Sequence, residues 1–293
     1  MNTPPLLFSL FDDTDFALAI QKILNCDIGK INIHTFPDKE TLVRFDSSLE
    51  NREIIFIASL DNPNTKLMPL LFASETARAL GATKIGLIAP YLAYMRQDKI
   101  FHPGEGVTSQ YFAKLISDYF DWLVTIDPHL HRWHTLADIY SIPTQVLHAA
   151  PCIADWIKTH TEKPLLIGPD SESEQWVGEI ANLSNAPYVI CNKHRESDNH
   201  VNINIPQIDL YSDHTPILID DIISTATTMI ETVKHLQLLK LKSPICIGVH
   251  PIFADQAYKN LLHANVSQIV SCNTIKHPSN RIDVSSLFST IKS

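Results

Sequence analysis

Residues 216–229 read PILIDDIISTATTM. The run Ile217 to Ile219 is apolar without alternation, as expected of a parallel strand covered on both faces. A helical pattern over Thr228 to Leu239 follows it. The turn between them therefore stands at a strand's carboxyl end. There the amides of the next helix's first turn lack partners and favour a phosphate. Ser224, Thr225, Thr227 and Thr228 add hydroxyl donors around Ala226, and Asp220 and Asp221 are acceptors suited to the vicinal hydroxyls of a ribose. An ordinary strand-to-helix turn with an acidic cap is the plainer reading.

The same alternation extends in both directions. Short apolar runs at Ile54 to Leu60, Lys84 to Ala89 and Trp122 to Ile126 are separated by helical patterns at Leu67 to Leu80 and Ser109 to Tyr119. Leu165 to Gly168, Tyr188 to Cys191 and Pro244 to Val249 continue it, with a helix from about Ser173 to Leu183. This predicts an α/β fold with mostly parallel sheets. Gly81 supplies a left-handed helix stop. The 293 residues suffice for two domains. A change near Val146 to Pro151 places them at 1–147 and 148–293. An acidic strand end in each half, Asp61 and Asp220-Asp221, hints at duplication.

Lys and Arg number 23 against 32 Asp and Glu, a net charge of −9. That balance offers no general field for nucleic acid or an anionic membrane. Any polyanionic ligand must be met by local cations or a metal. Five scattered cysteines show neither metal-ligand spacing nor a disulfide framework, which predicts a reducing cytosol. The apolar start, Leu6 to Phe11, is not preceded by a positive segment and reads as a first strand. No apolar run reaches the roughly 20 residues of a membrane helix.

Further strings carry chemistry. Phe36-Pro37-Asp38-Lys39-Glu40 is a turn. In residues 90–99, PYLAYMRQDK, Arg96 offers a permanent cation with a fork matched to phosphate, or else a surface pair with Asp98. Residues 125–131, TIDPHLH, end a strand. His131 and His134 do not complete a zinc site, because no Cys or carboxylate stands at complementary spacing. Residues 166–170, LIGPD, precede Ser171 and Glu174, which read as a capping box. Residues 189–195, VICNKHR, leave a strand for a polar segment, Glu196 to Asn204, that reads as a mobile loop. His250 reads equally as a satisfied buried histidine.

In order and spacing these strings resemble the ribose-phosphate pyrophosphokinases, which make phosphoribosyl pyrophosphate (PRPP), from about residue 36 to 275. The loop at Asp220 to Thr228 is also similar to that of type I phosphoribosyltransferases. The resemblance implies two phosphoribosyltransferase-like domains and transfer of pyrophosphate from MgATP to ribose 5-phosphate. It implies that Phe36, Asp38 and Glu40 (family pattern FPDGE) reach the ATP bound to a neighbouring subunit, and that Arg96, Gln97 and Asp98 contact the nucleotide. His129 and Asp170 would lie near Mg²⁺. Asp220, Asp221 and Ser224 to Thr228 would hold ribose 5-phosphate, and Lys193 and Arg195, on a closing flap, would stabilise the transferring group. A cytoplasmic homo-oligomer, at least a dimer, is expected. Ala226-Thr227 stands where the family usually has a Gly pair, and Ser171-Glu172 where many members are Gly-rich. These departures leave a non-catalytic regulatory relative as an alternative. A phosphoribosyltransferase that consumes PRPP is a third, opposed by Arg96-Gln97 and Phe36 to Glu40.

Overall fold

A computed structural model describes residues 3–11, 14–170, 173–197, 200–204 and 208–291, and only the backbone over the described part of 192–209. The chain divides into two compact units, Met1–Leu147 with Ser285–Ser293, and His148–Val284. The tail thus belongs with the first unit, which differs from the 148–293 limits expected for the second domain.

The first unit runs β1 (Leu6–Ser9), α1 (Thr14–Leu24), β2 (Asp27–Ile28), β3 (Ile31–Thr35), β4 (Thr41–Phe45), β5 (Glu53–Ile57), α2 (Pro63–Ala79), β6 (Lys84–Ala89), α3 (Thr108–Tyr119), β7 (Trp122–Ile126) and β8 (Thr144–Leu147). Its six-stranded parallel sheet has the order β2-β1-β5-β6-β7-β8. Central strands bury both faces: Leu7, Phe8, Ile54, Phe56, Leu87 and Leu123 have no exposed surface. That explains why their sequences run apolar without alternation. Phe8 packs edge-on to Phe45 with ring centres 4.9 Å apart, so the β3–β4 ribbon is tied to the sheet. From the tail, Phe288 packs edge-on to Phe16 of α1 at 5.6 Å. Helix α2 begins a turn earlier than its apolar pattern predicts, because Pro63 suits the first helical positions, where a missing N–H costs nothing. It ends where Gly81 takes the left-handed φ of 89°.

The second unit runs α4 (Ala150–His160), β9 (Pro164–Gly168), α5 (Glu174–Ser184), β10 (Tyr188–Ile190), β11 (Asn192–Ser197), β12 (His200–Asn204), β13 (Thr215–Ile223), α6 (Thr227–Leu238), β14 (Ile245–Pro251), α7 (Ala257–Leu262), β15 (Gln268–Cys272) and β16 (Asn280–Ile282). Its parallel sheet has the order β10-β9-β13-β14-β15-β16. In both sheets the second strand lies outside the first, and the remaining strands follow in sequence on the other side. This shared topology is what a duplication would leave. Within the expected loop over Glu196 to Asn204, the described residues belong to an antiparallel ribbon, β11 with β12. Val201 to Asn204 alternate apolar and polar, whereas all six residues of β11 are polar, so the pattern marks only one strand of the pair.

The turn between β3 and β4 is closed by the Phe36 amide donating to Glu40 O at 2.8 Å and the Lys39 amide to Phe36 O at 2.9 Å. Lys39 takes a φ of 75° to do so. A left-handed conformation costs a non-glycine residue about 1–2 kcal/mol, and glycine returns about 0.4–1 kcal/mol of that as unfolded-chain entropy. Lys39→Gly should therefore stabilise the first unit by about 0.5–1 kcal/mol, and Lys39→Ala should not. Scanning calorimetry of the two variants checks it.

Candidate active site

In the second unit the site grows from the carboxyl ends of β9 and β13. Ile217 and Ile219 are fully buried, and β13 pairs with β9 on one side and β14 on the other, so the strand is fixed along its length. At Asp220 the buried run gives way to half-buried residues. Asp220 Oδ1 accepts the Asp221 amide at 3.0 Å, and Asp221 Oδ1 accepts the Ile222 amide at 2.7 Å. Burial, the Asp221 charge and hydrogen bond, and the Asp170 charge push the Asp220 carboxyl well above the usual carboxylate range. Three carboxylates gathered in this way repel one another until a cation or hydroxyl donors join them. An all-oxygen donor set fits Mg²⁺, which prefers oxygen and retains waters.

Asp170 follows β9. Its Oδ1 accepts the Ser173 amide at 3.1 Å, and its carbonyl accepts Ser173 Oγ at 2.6 Å. The capping box expected at Ser171 and Glu174 falls partly on residues outside the described ones. The helix begins at Glu174 with Ser173 as its N-cap, and Asp170 supplies the acceptor. Ser171 and Glu172 lie outside the described residues. This fold-back requires Gly168, since a Cβ there would stand 2.4 Å from Ser173 Oγ and 2.6 Å from Ile190 Cδ1. Gly168→Ala should destabilise the second unit by about 1–3 kcal/mol, a loss to be read in thermal unfolding.

The turn after β13 has Ser224 half-buried, Thr225 and Thr227 exposed, Thr228 half-buried and Ala226 buried. Thr227 Oγ1 donates to Thr225 Oγ1 at 3.1 Å. Ala226 is the N-cap of α6, at φ 59° and ψ 9°, and provides no side-chain cap. The first helical bond runs from the Ile230 amide to Ala226 O at 2.9 Å. The amides of Thr227, Thr228 and Met229 therefore lack helical acceptors, which makes the helix start a site for a phosphate. The positive φ that a Gly pair would supply is present in spite of Ala. Ala226→Gly should be near neutral in stability, because the relieved strain is offset by about 0.8 kcal/mol of lost methyl burial and by chain entropy.

In the first unit, Arg96 is exposed and makes no ion pair among the described residues. The alternative of an Arg96–Asp98 surface pair is not what forms. Asp98 is buried, and its Oδ1 lies 3.4 Å from Arg132 Nε. Gln97 Nε2 donates to Lys99 O at 3.3 Å and to Glu105 Oε2 at 3.4 Å, and Gln97 O accepts the Ser109 amide. Glu105 also accepts the Phe101 and His102 amides, and its carboxyl is held below its usual range, chiefly by His102. His129 follows β7 and Asp127, whose φ is 34°, and its ring centre lies 3.8 Å from that of His131. Strands β6 and β7 are neighbours, so segments 96–98 and 127–132 meet, joined by Arg132 and Asp98. Arg132 and Glu105 went unnoticed in the sequence. The Arg beside the His129-His131 pair is the signal that marks the first.

Phe36, Asp38 and Glu40 sit on the β3–β4 turn, a ribbon separate from the six-stranded sheet. Phe36 is 39% exposed against the edge of His34. Asp38 Oδ1 accepts the Glu40 amide at 3.1 Å. Lys193 and Arg195 lie in β11, opposite Ile203 and Val201, and their side chains are outside the described part. His250 is buried in β14, its Nδ1 3.0 Å from Thr274 Oγ1. Since that hydroxyl donates to Val249 O, His250 Nδ1 is the donor to Thr274. None of the five cysteines is in a disulfide. No helix among the described residues is long and apolar enough to cross a membrane.

The profile of the N-terminal domain of ribose phosphate pyrophosphokinase matches residues 6–119, and that of the phosphoribosyl transferase domain matches residues 136–289. A ribose-phosphate pyrophosphokinase of Sulfurisphaera tokodaii is 31% identical over 269 residues, 90% of this chain and 91% of that protein. One from Methanobrevibacter smithii is 31% identical over 283 residues, covering 92% and 94%. The crystal structure of phosphoribosylpyrophosphate synthetase from Mycobacterium smegmatis shares the fold, with a TM-score of 0.84 at 23% identity over 97% of this chain and 96% of that one.

Proposed function

The chain belongs to the ribose-phosphate pyrophosphokinase family, and from that premise we propose that it transfers the diphosphoryl group of MgATP to the anomeric hydroxyl of ribose 5-phosphate, giving PRPP and AMP. The observation that carries this is the Asp220-Asp221 pair immediately before a helix start whose first amides lack helical acceptors. Acceptors for a ribose diol and donors for its 5-phosphate then stand a few residues apart on one turn.

The sugar phosphate binds with its hydroxyls on Asp220 and Asp221 and its phosphate at Ser224 to Thr228. Arg96 meets the triphosphate, while Asp98, buried against Arg132, steadies the loop that carries Arg96 and Gln97. Phe36, Asp38 and Glu40 act on the nucleotide of a neighbouring subunit, so the working form is at least a dimer. His129 would help hold the Mg²⁺ of MgATP and Asp170 would stand near a second Mg²⁺, ions that when bound would offset the charge of the phosphate oxygens. The 1-hydroxyl attacks the β-phosphorus in line and AMP departs, with no covalent enzyme intermediate. Lys193 and Arg195 stabilise the charge spread over the transferring group, so positioning and electrostatics supply the rate. A cytoplasmic location agrees with five cysteines that form no disulfide.

The Ala226-Thr227 and Ser171-Glu172 departures from the family pattern are the ground for a second reading, a regulatory subunit that keeps the fold without turnover. Incubation with MgATP and ribose 5-phosphate separates the two. AMP and PRPP in equal amounts support the synthetase. ADP in place of AMP contradicts diphosphoryl transfer, and nucleotide binding without products moves the assignment to the regulatory subunit.

A further inference from the structure

The sugar-phosphate turn is held from the neighbouring strand by a segment to which neither the family resemblance nor the mechanism assigns a role. Strands β13 and β14 pair as far as Ile223 with Pro251. Beyond that point two bonds extend the contact onto the turn itself. The Phe253 amide donates to Ile223 O at 2.9 Å, and the Ala254 amide donates to Ser224 O at 3.1 Å. To make them the chain bends through two left-handed residues, Phe253 at φ 42° and Asp255 at φ 53°. An aromatic residue rarely adopts that conformation, so surrounding structure must hold it there.

The ring of Phe253 supplies the hold. It is 8% exposed and belongs to one buried cluster with Ile223, Ala226 and Met229, the residues that floor the turn and begin α6. Two further rings enclose it. Tyr258 of α7 lies at 5.1 Å and 70°, and His277 at 4.6 Å and 31°. Tyr258 and His277 close the box on each other, edge to face, at 4.7 Å. His277 Nδ1 accepts the Ser279 amide at 3.2 Å, and burial lowers the basicity of the imidazole.

We propose that Phe253 is a positioning residue for the sugar-phosphate turn: its boxed ring fixes the two amides that grip Ile223 O and Ser224 O, and so sets the course of Ser224 to Thr228 ahead of the helix start. The identity of the ligand rests on the proposed function, whereas the mechanical claim does not. The test therefore has two readouts. Amide hydrogen exchange of the ligand-free chain reports the turn directly, and steady-state kinetics reports what the turn does.

In Phe253→Ala, peptides spanning 224–232 should exchange at least about tenfold faster while those of β9 stay unchanged, as expected when local opening is eased without global unfolding. Phe253→Leu, which restores apolar bulk, should recover most of the protection. The KM for ribose 5-phosphate should rise in Phe253→Ala with that for MgATP unchanged, and Phe253→Leu should restore it. Should Phe253→Ala fail to fold, Tyr258→Ala opens the box from its half-exposed side and is expected to give the same pattern. Unchanged exchange over 224–232, or faster exchange throughout the second unit, overturns the inference. Absence of turnover in the intact protein would count against the proposed function and leave the exchange result to decide the positioning role.

Discussion

Replacing Lys193 by alanine is expected to lower turnover by about 10²–10³-fold, the usual effect of removing one preorganised donor from a developing charge. The KM values for ribose 5-phosphate and MgATP should change by no more than about threefold, because the interaction is realised in the transition state. The argument begins with net charge. At −9 the protein provides no general field that favours a triphosphate, so the transferring group depends on a few delivered cations. Lys193 and Arg195 are two residues apart in β11, before the irregularity that follows Arg195, and the pleat puts such positions on one face of the ribbon. If they act as one unit, Lys193→Ala with Arg195→Ala should cost less than the sum of the separate losses. Steady-state kinetics of the three variants checks this. A rise in both KM values with kcat unchanged would assign Lys193 to ordinary binding.

Asp221→Ala should give the opposite pattern, a rise of about 10- to 100-fold in the KM for ribose 5-phosphate with a smaller loss of kcat. That range corresponds to the roughly 1.5–3 kcal/mol of a hydrogen bond to a charged group. Asp221 also contributes to the raised pKa of Asp220, after burial. Its removal should therefore lower the Asp220 pKa, while burial still raises it, and leave Asp220 as the remaining acceptor with part of the sugar affinity. Titration calorimetry with ribose 5-phosphate alone separates binding from chemistry. An equal loss of sugar affinity in Lys193→Ala and Asp221→Ala would contradict both assignments.

How far the structure was legible depended on where the apolar burial lay. Ile217 to Ile219 and Trp122 to Ile126 are interior strands buried on both faces, and such strands are continuous in sequence. The turn at Asp220 was legible for the same reason, since the change from apolar to acidic marks the end of burial. The β3–β4 ribbon was not among the expected elements. Its alternation, with Ile31, Ile33, Val43 and Phe45 half-buried, is present in the sequence but is short and interrupted by a turn. In the β11–β12 ribbon only Val201 to Asn204 alternate, and the wholly polar sequence of β11 argued for a loop. At the start of α5, Asp170, a residue assigned to the metal, also accepts the Ser173 amide, a local contact that the strand-to-helix pattern does not show. Asp98 illustrates a different limit. Its neighbour in sequence is Arg96 at two residues, but its partner is Arg132. The box around Phe253 joins residues from the segment after β14, from α7 and from the segment before β16, and only the folded sheet assembles it.

The most direct test of the central claim is the fate of the phosphorus atoms. ATP labelled at the β-phosphorus should deliver its label to PRPP when the intact protein is given Mg²⁺ and ribose 5-phosphate, and ATP labelled at the α-phosphorus should leave its label in AMP. Recovery of the β label in ADP, or a protein that binds MgATP and ribose 5-phosphate without moving any label, would contradict the account.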